Sequence, residues 1–206
     1  MKSMITGIFS IFLLCSCSAS LQTQTDYYQF EQPITSASRH VDTTVAQLRV
    51  QNVVMRGALN NRGIAMKIQS NQVHNANYNM WSEAPDVMLA ASAQQTLFSA
   101  LPQWMVVKGL PVITELDQQT FYEIEYELHH FNGDLQGNAD IAGLWRLYFT
   151  DPQTGRRLVS IHNFTKLIKI TDDGYEALVS GLEKAWVEVN NDVAAVIKKQ
   201  NIHIKN

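Results

Sequence analysis

The sequence predicts a single α+β domain in which a mostly antiparallel sheet, including a three-strand meander, is packed by two main helices. The first observation behind this prediction is the regular alternation of apolar and polar residues over 121–131, followed by two further extended segments after short turns. The second is the helical spacing of apolar residues over 85–101 and 175–196. No linker or low-complexity stretch divides the 206 residues, so we expect one layered core.

The first half of the chain is predicted to form short strands. Aromatic and aliphatic residues indicate them at 27–30, 44–54 and 64–68, and a polar continuation follows at 72–79. Between them, Gly57, Asn60 and Asn61 favour turns, so the segment 56–62 is predicted as a loop. We expect these strands to join the same sheet as the meander.

Both predicted helices carry start and stop signals. The first is expected to begin at Pro85, a residue accepted in the first helical turn, with Ser82 as its cap, and to end before Pro102. The second repeats apolar residues at i, i+3 and i+4 over about six turns. Acidic residues at 172–173 and lysines at 198–199 lie at the ends where each suits the helix dipole.

The three-strand meander is bounded by turns at 133–138 and 151–155. In its first strand, Glu123, Glu125 and Glu127 line the polar face. Paired carboxylates can act in acid–base chemistry, but a solvated strand face is the simpler explanation of this row. We therefore expect these glutamates to face water.

The N-terminus has the three parts of a secretory signal. Lys2 is followed by an apolar run over 5–14 and then by small residues. A membrane-spanning helix needs about 20 apolar residues, so this run is too short to be one. We predict an export signal.

Both cysteines lie in the stretch Leu14-Cys15-Ser16-Cys17, which resembles the bacterial lipobox. The resemblance implies a lipoprotein signal peptide at 1–16 and a lipidated Cys17 as the first mature residue. Residues 17–25 are then the lipidated cysteine and its tether, and 26–206 the folded domain. Two or three acyl chains anchor a protein stably. Ser18 after the cysteine favours the outer membrane, by analogy with lipoprotein sorting.

Composition and charge narrow the classes of partner. With Cys17 acylated, the mature chain keeps no cysteine for a disulfide, although the periplasm would permit one. The formal net charge of −3 becomes one unit more negative when the signal takes Lys2 away. Nucleic-acid-binding domains are usually basic, so nucleic acid is not expected as a partner.

No catalytic motif is found in the sequence. It lacks a phosphate-binding Gly-rich loop, a Gly-x-Ser-x-Gly elbow and a His-Glu-x-x-His pair. His129 and His130 are neighbours on a predicted strand, so their side chains should point to opposite faces and not share a metal ion. We predict no catalytic residue, no cofactor and no metal site, while a triad assembled from distant residues stays open.

Trp81 is the residue singled out for a contact with a partner. Core packing is the default for all four tryptophans. Trp81, however, lies in a polar stretch at 77–83. It could anchor a partner protein, or it could hold this loop onto the start of the first helix.

Five short motifs, in this order, resemble the ABC-type transport auxiliary lipoprotein family. They are the lipobox, Tyr27-Tyr28-Gln29-Phe30, Asn79-Met80-Trp81-Ser82-Glu83-Ala84-Pro85, Leu101-Pro102-Gln103-Trp104 and Asp173-Gly174-Tyr175. The resemblance covers nearly all of the mature chain. It implies an outer-membrane lipoprotein that docks a periplasm-spanning MCE-domain protein, in a system thought to move phospholipid or other hydrophobic cargo. Such an adaptor, with a homo-oligomeric ring as one arrangement, needs no covalent chemistry.

The chain departs from the family pattern after its second strand. The family tends to carry Pro-x-Tyr-Leu there, whereas this sequence has Met55-Arg56-Gly57-Ala58-Leu59 and keeps only the leucine. If this loop touches the partner, the choice of partner could differ. Two other classes stay open: another outer-membrane assembly lipoprotein, such as a pilotin, and a lipid-anchored hydrolase with a buried nucleophile beside a histidine.

Overall fold

The computed structural model describes residues 24–31, 46–109 and 120–199. The predicted signal peptide, Cys17 and all but the last two residues of the predicted tether lie outside these ranges. Within the three described ranges, no helix is long and apolar enough to cross a membrane.

The described ranges hold nine strands and two helices. The strands are β1 (Asp26–Tyr28), β2 (Ala46–Val50), β3 (Val54–Met55), β4 (Gly63–Gln69), β5 (Gln72–Trp81), β6 (Trp104–Lys108), β7 (Phe121–Gly133), β8 (Asn138–Asp151) and β9 (Gly155–Lys169). The helices are α1 (Pro85–Ala100) and α2 (Tyr175–Lys199). A short 3₁₀ turn, Gly57–Leu59, lies in the predicted loop.

One mixed sheet contains all of these strands, and β7 lies at its centre. One edge of β7 pairs antiparallel with β8, which pairs antiparallel with β9, so the predicted meander is confirmed. The other edge of β7 takes β2, β3 and β4 in turn, all parallel. β5 pairs antiparallel with β4, while β1 and β6 lie parallel on β5 and β2. The longest pairings are therefore antiparallel, and strands distant in sequence meet in parallel.

Both helices pack on one face of this sheet and on each other. Helix α2 buries Leu182, Trp186 and Val193, and α1 buries Leu89 and Leu97. The Trp186 Nε1–H group donates a hydrogen bond to the carbonyl oxygen of Leu89 at 3.0 Å. This contact ties the two helices together inside the core, and the predicted α+β class with two main helices is confirmed.

A buried polar cluster joins α2 to the centre of the sheet. The Tyr126 hydroxyl donates to Asn190 Oδ1 at 2.6 Å, and Asn190 Nδ2 donates to the carbonyl oxygen of Trp186 at 2.8 Å. Burial raises the pKa of the Tyr126 hydroxyl well above its ordinary value, so this group stays a donor. Each polar atom is thus matched where water is excluded.

The two turns of the meander are built alike. Asp134 and Asp151 each accept hydrogen bonds from backbone N–H groups two to four residues further on, at 2.7 to 2.8 Å. Gly137 and Gly155 have φ values of 73° and 84°, which side chains with a Cβ rarely adopt. The turns predicted from composition are confirmed.

The start of α1 differs from the prediction at its cap. Ala84 occupies the N-cap position and makes no side-chain capping bond, while Pro85 opens the helix as predicted. The Ser82 N–H group donates to the carbonyl oxygen of Tyr28 at 2.8 Å, and the Ser82 hydroxyl lies 3.4 Å from Gln29 Oε1. Ser82 therefore links the start of α1 to the end of β1, and its predicted role as the helix cap is wrong.

Candidate docking surface

One face of the meander has no helix packed on it in the described part of the chain. The side chains of Ile124 and Tyr126 point to the helices, so their neighbours in β7 point away. We call this second surface the open face. It includes Glu123, Glu125 and Glu127 of β7, Arg146 and Tyr148 of β8, and Leu158, Ile161 and Leu167 of β9.

The glutamates of the open face are not the solvated row that the alternation predicted. Glu123 and Glu127 are each only 8% exposed. Arg56 Nη2 lies 2.7 Å from Glu127 Oε1, and Arg146 Nη1 lies 3.1 Å from Glu127 Oε2. Because arginine side chains contact the carboxylate and shield it from water, the prediction of solvation is wrong. The arginines come from other segments, so the β7 sequence alone gave no sign of them.

Arg156 of β9 fixes the rest of the row. Its Nε atom lies 2.9 Å from Glu123 Oε2, and its Nη2 atom pairs with Glu125. Its guanidinium carbon lies 3.4 Å from the centre of the Tyr148 ring. The Thr150 hydroxyl also donates to Glu123, at 2.9 Å. Charge-assisted hydrogen bonds of this kind hold the open face as a rigid surface of balanced charge.

We expect Glu127→Gln to lower the free energy of unfolding near pH 7 by about 1–3 kcal/mol. The hydrogen bond from Arg56 outweighs the opposing effect of burial and, with Arg146 and His129, lowers the pKa of Glu127 from 4.5 to about 2. A depressed pKa means that the ionised carboxylate stabilises the fold above about pH 4.5, and that this contribution is lost as the pH falls towards about 2. The Arg56 side chain is 63% exposed, so solvent screens part of the effect.

Urea denaturation across this pH range measures that contribution. The matched control is Glu125→Gln, because the Glu125 side chain is 33% exposed and a smaller loss is expected there. The stability difference between the wild type and Glu127→Gln should shrink as the pH falls below about 4.5. A difference that stays constant over that range would contradict the assigned ion pairs.

A β-bulge brings both histidines to the open face. The register of β7 against β8 shifts between Leu128 and His130. His129 Nε2 then lies 3.3 Å from Glu127 Oε1, and His130 Nδ1 lies 2.8 Å from Asp140 Oδ2. The prediction that the two rings point to opposite faces is wrong, since a bulge adds one residue to the strand. The described ranges hold no group of three His, Cys, Asp or Glu side chains placed for a metal ion.

Gly143 is the sequence signal that could have revealed this bulge. It pairs with Leu128 from inside β8, and a Cβ atom there would lie 2.1 Å from the carbonyl oxygen of Glu127. A glycine in a strand interior often marks a bulge or a close backbone approach. Here it marks both.

The β9 edge of the sheet is open in the part of the chain that the structure describes. β9 pairs with β8 and with no other described strand. Leu158, Ile161 and Leu167 are 51%, 52% and 56% exposed on it. An open edge offers backbone N–H and C=O groups to another chain, and exposed apolar side chains add area that association would remove from water.

A shallow groove of about 350 Å³ lies where the open face meets the β7–β8 turn. Lys67 and Ser70 line it from the β4–β5 hairpin, His130 and Asp140 from the sheet, and Leu167 from β9. Asp140 is 7% exposed, and its Oδ1 atom has no hydrogen-bond partner. The groove thus combines a lysine, a carboxylate in contact with a histidine ring, and an apolar rim.

Ser160 and His162 lie on the helix-facing side of β9. The Ser160 hydroxyl and His162 Nε2 are buried, and neither has a hydrogen-bond partner in the structure. The His162 ring instead stacks on Trp145, with ring centres 4.2 Å apart. Over the described ranges, no serine, threonine or cysteine is hydrogen-bonded to a histidine.

Trp81 lies in the core. Its side chain is 2% exposed, its ring stacks on Phe131 at 5.3 Å, and Phe30 meets it edge-on at 5.9 Å. Its backbone N–H group donates to the carbonyl oxygen of Arg62 at 2.7 Å. A side chain buried in this way cannot touch a partner, so the predicted contact at Trp81 does not fit the structure. The polar neighbours in sequence point outward, as Tyr78 does at 48% exposure, while the indole points inward.

The segment that departs from the family pattern, Met55–Leu59, borders the open face. Met55 pairs with Leu128 in β3, and the Arg56 N–H group donates to the carbonyl oxygen of Leu128 at 3.1 Å. Leu59 is buried at the other end. This segment is therefore fixed to β7 and supplies one of the arginines that shield Glu127.

Two curated relatives match this chain over almost its whole length. The intermembrane transport lipoprotein PqiC of Escherichia coli (strain K12) is 25% identical over 205 residues, which cover 97% of this chain and 99% of that protein. PqiC of Shigella flexneri matches with the same identity and coverage.

Solved structures share the fold. The crystal structure of an uncharacterized protein has a TM-score of 0.66 at 25% identity and covers 84% of this chain and 99% of its own. The crystal structure of a protein from Xanthomonas campestris has a TM-score of 0.63 at 13% identity and covers 85% of this chain and 97% of its own. At this identity the match is evidence for the fold and not for a function. Residues 28–194, from β1 into the later turns of α2, match the family described as ABC-type transport auxiliary lipoprotein component. The chain therefore belongs to the ABC-type transport auxiliary lipoprotein component family.

Proposed function

We propose that this protein is an outer-membrane lipoprotein adaptor, anchored through Cys17 on the periplasmic face, that docks a periplasm-spanning MCE-domain protein. The transport role follows from the family of transport auxiliary lipoproteins. Transport between membranes is inferred from the name intermembrane transport lipoprotein carried by the two PqiC relatives, and phospholipid is our proposal for the cargo. The adaptor works through its anchor and its surfaces, without catalysis.

The observation that best supports docking is the open face with its β9 edge. A row of ion pairs adjoins Leu158 and Ile161, which are half exposed on β9, whose second edge pairs with no described strand. Interfaces combine a central apolar patch with a polar rim, and this surface offers both parts. The segment Met55–Leu59 lies beside it, so its unusual sequence would alter the partner that is accepted.

The same edge supports assembly of several copies. The β9 edge differs from the opposite edges of the sheet, which are formed by β1 and β6. A contact between unlike edges is head-to-tail, and such contacts close into a ring when the rotation permits. We propose that the adaptor forms a homo-oligomeric ring that surrounds the end of the MCE-domain protein.

Site-specific photo-crosslinking in living cells tests the docking surface. A photoreactive amino acid at Ile161, in the full-length lipoprotein, should crosslink to an MCE-domain protein or to a second copy of this chain. The same residue placed at Lys184, which is exposed on α2, is the matched control and should give neither product.

The crosslinked products separate the competing classes. Crosslinks from Ile161 to secretion or surface-polymer machinery would favour the pilotin-type alternative and overturn the proposed partner. Equal crosslinking from Ile161 and Lys184, or none from Ile161, would remove the open face as the docking surface.

A further inference from the structure

Four exposed apolar side chains gather at one end of the sheet. Ile68, Val73, Leu135 and Leu167 are 47%, 39%, 49% and 56% exposed. Ile68 and Val73 flank the tip of the β4–β5 hairpin, and Leu135 lies in the β7–β8 turn. We call this region, formed by the two hairpin tips and Leu167, the hairpin end.

Strand register places these side chains together. Met66 of β4 is paired in parallel with Gly133 of β7, so the hairpin tips that follow these two residues lie at the same end of the sheet. Leu167 is paired with Asp140, two residues after the β7–β8 turn. Lys67, Leu135 and Leu167 line one groove, which confirms that the two tips and β9 are neighbours.

The described chain enters β1 from the side of this same end. β1 runs parallel to β5, and Asp26 is paired with Asn79, so the direction from which the chain enters Asp26 is that of Gln72 at the tip. From the level of Gly63, opposite Met80, to the tip is about 20 Å along β4. The residues between Cys17 and Asp26 can span about 30 Å. That length is enough for the lipid on Cys17 to lie at the hairpin end or beyond it.

The charged groups at the hairpin end are mixed in sign, so they would not attract it to a membrane. The lysine amine of Lys169 donates to the carbonyl oxygen of Gln136 at 2.6 Å, and Asp134 is held by its own turn. Asp172 and Asp173 follow β9 at the same end and are exposed. Acidic and basic groups are mixed here, so contact with lipid would come from apolar burial and would depend little on salt.

We propose that the hairpin end rests on the phospholipid surface in which Cys17 is anchored, with Leu135, Ile68 and Val73 at the boundary between headgroups and acyl chains. This inference rests on the lipid anchor of the proposed function. This contact fixes the orientation of the domain. β7 and β8 lie outside the membrane and run roughly perpendicular to its surface, and the β8–β9 turn points away from it into the periplasm.

Fluorescence of the lipidated protein in vesicles tests this orientation. The mature chain has no free thiol once Cys17 is acylated, so Leu135→Cys can carry a single environment-sensitive dye. Vesicles of phosphatidylethanolamine and phosphatidylglycerol should shift its emission to the blue, and lipids with a quencher in the acyl chain should reduce it. The matched control is Gln153→Cys, in the turn at the opposite end of β8, which should show neither change.

The possible results distinguish failure of the proposed orientation from failure of the proposed lipid anchor. Vesicle-bound protein with no blue shift at position 135, or with equal shifts at 135 and 153, overturns the orientation and leaves the anchor intact. Protein that does not bind vesicles at all overturns the anchor itself. An emission shift at position 135 that disappears at high salt would overturn the apolar basis of the contact.

Discussion

Trp186→Ala should lower the free energy of unfolding by about 3–5 kcal/mol, because a large aromatic side chain leaves a cavity that the core refills only in part. Trp186 is 0% exposed, and its ring packs on Tyr126 at 4.9 Å and near Phe164 at 6.4 Å. It also ties α2 to Leu89 of α1. Domains are stable by only about 5–15 kcal/mol, so the loss is a large fraction of the total. Urea denaturation followed by circular dichroism measures it.

Trp186→Phe is the matched control for this effect. It keeps much of the ring volume and removes the N–H donor to Leu89, so the expected loss is about 1–3 kcal/mol. If alanine and phenylalanine cost the same, the hydrogen bond and not the packing would dominate. A loss below about 1 kcal/mol for alanine would contradict the central position of this residue in the core.

Cys17→Ala should abolish membrane retention. The formal net charge of the chain is −3, so electrostatic attraction to an anionic membrane surface is not expected to hold it. In the proposed function, retention depends on the acyl chains on Cys17, of which one binds marginally and two or three bind stably. The expected result is an unprocessed or soluble species, seen by cell fractionation together with loss of palmitate labelling.

Cys15→Ala is the control that the sequence itself provides. Cys15 lies two residues before Cys17, and its replacement should leave processing, labelling and retention unchanged. If Cys15→Ala also abolishes labelling, the cleavage position assigned from the lipobox is wrong. If Cys17→Ala still fractionates with the outer membrane, the folded domain itself must bind there.

The parts of the fold that could be predicted are those with a clear local periodicity of apolar residues. The second helix follows from the apolar spacing over 175–196, and the meander follows from alternation between turns at Asp134 and Asp151. The parallel pairings could not be predicted, because Leu48 and Tyr122 are far apart in sequence and no local pattern links them. Periodicity assigns a face to a residue but not the neighbour that covers it.

The candidate surface shows the same limit. Alternation correctly grouped Glu123 with Glu127, yet their burial depends on arginines from β8, β9 and the segment after β3. The predicted partner contact at Trp81 fails because exposure was inferred from its sequence neighbours. Its sequence neighbours are polar, but its spatial neighbours are Phe30, which follows β1, and Phe131 of β7, and both are distant from it in sequence.

The position of β7 has a consequence for the order in which the protein can fold. β2, β3 and β4 all lie before residue 121, and each pairs with β7 along the edge that β8 leaves free. During synthesis these strands precede β7, and the edge that each pairs with β7 stays open until residues 121–133 follow. Such non-local pairing folds slowly and exposes chains to aggregation. Without β7, the described strands of the N-terminal half that pair with one another form two separate groups, β1–β5–β4 and β2–β6, and no described strand joins them into one sheet.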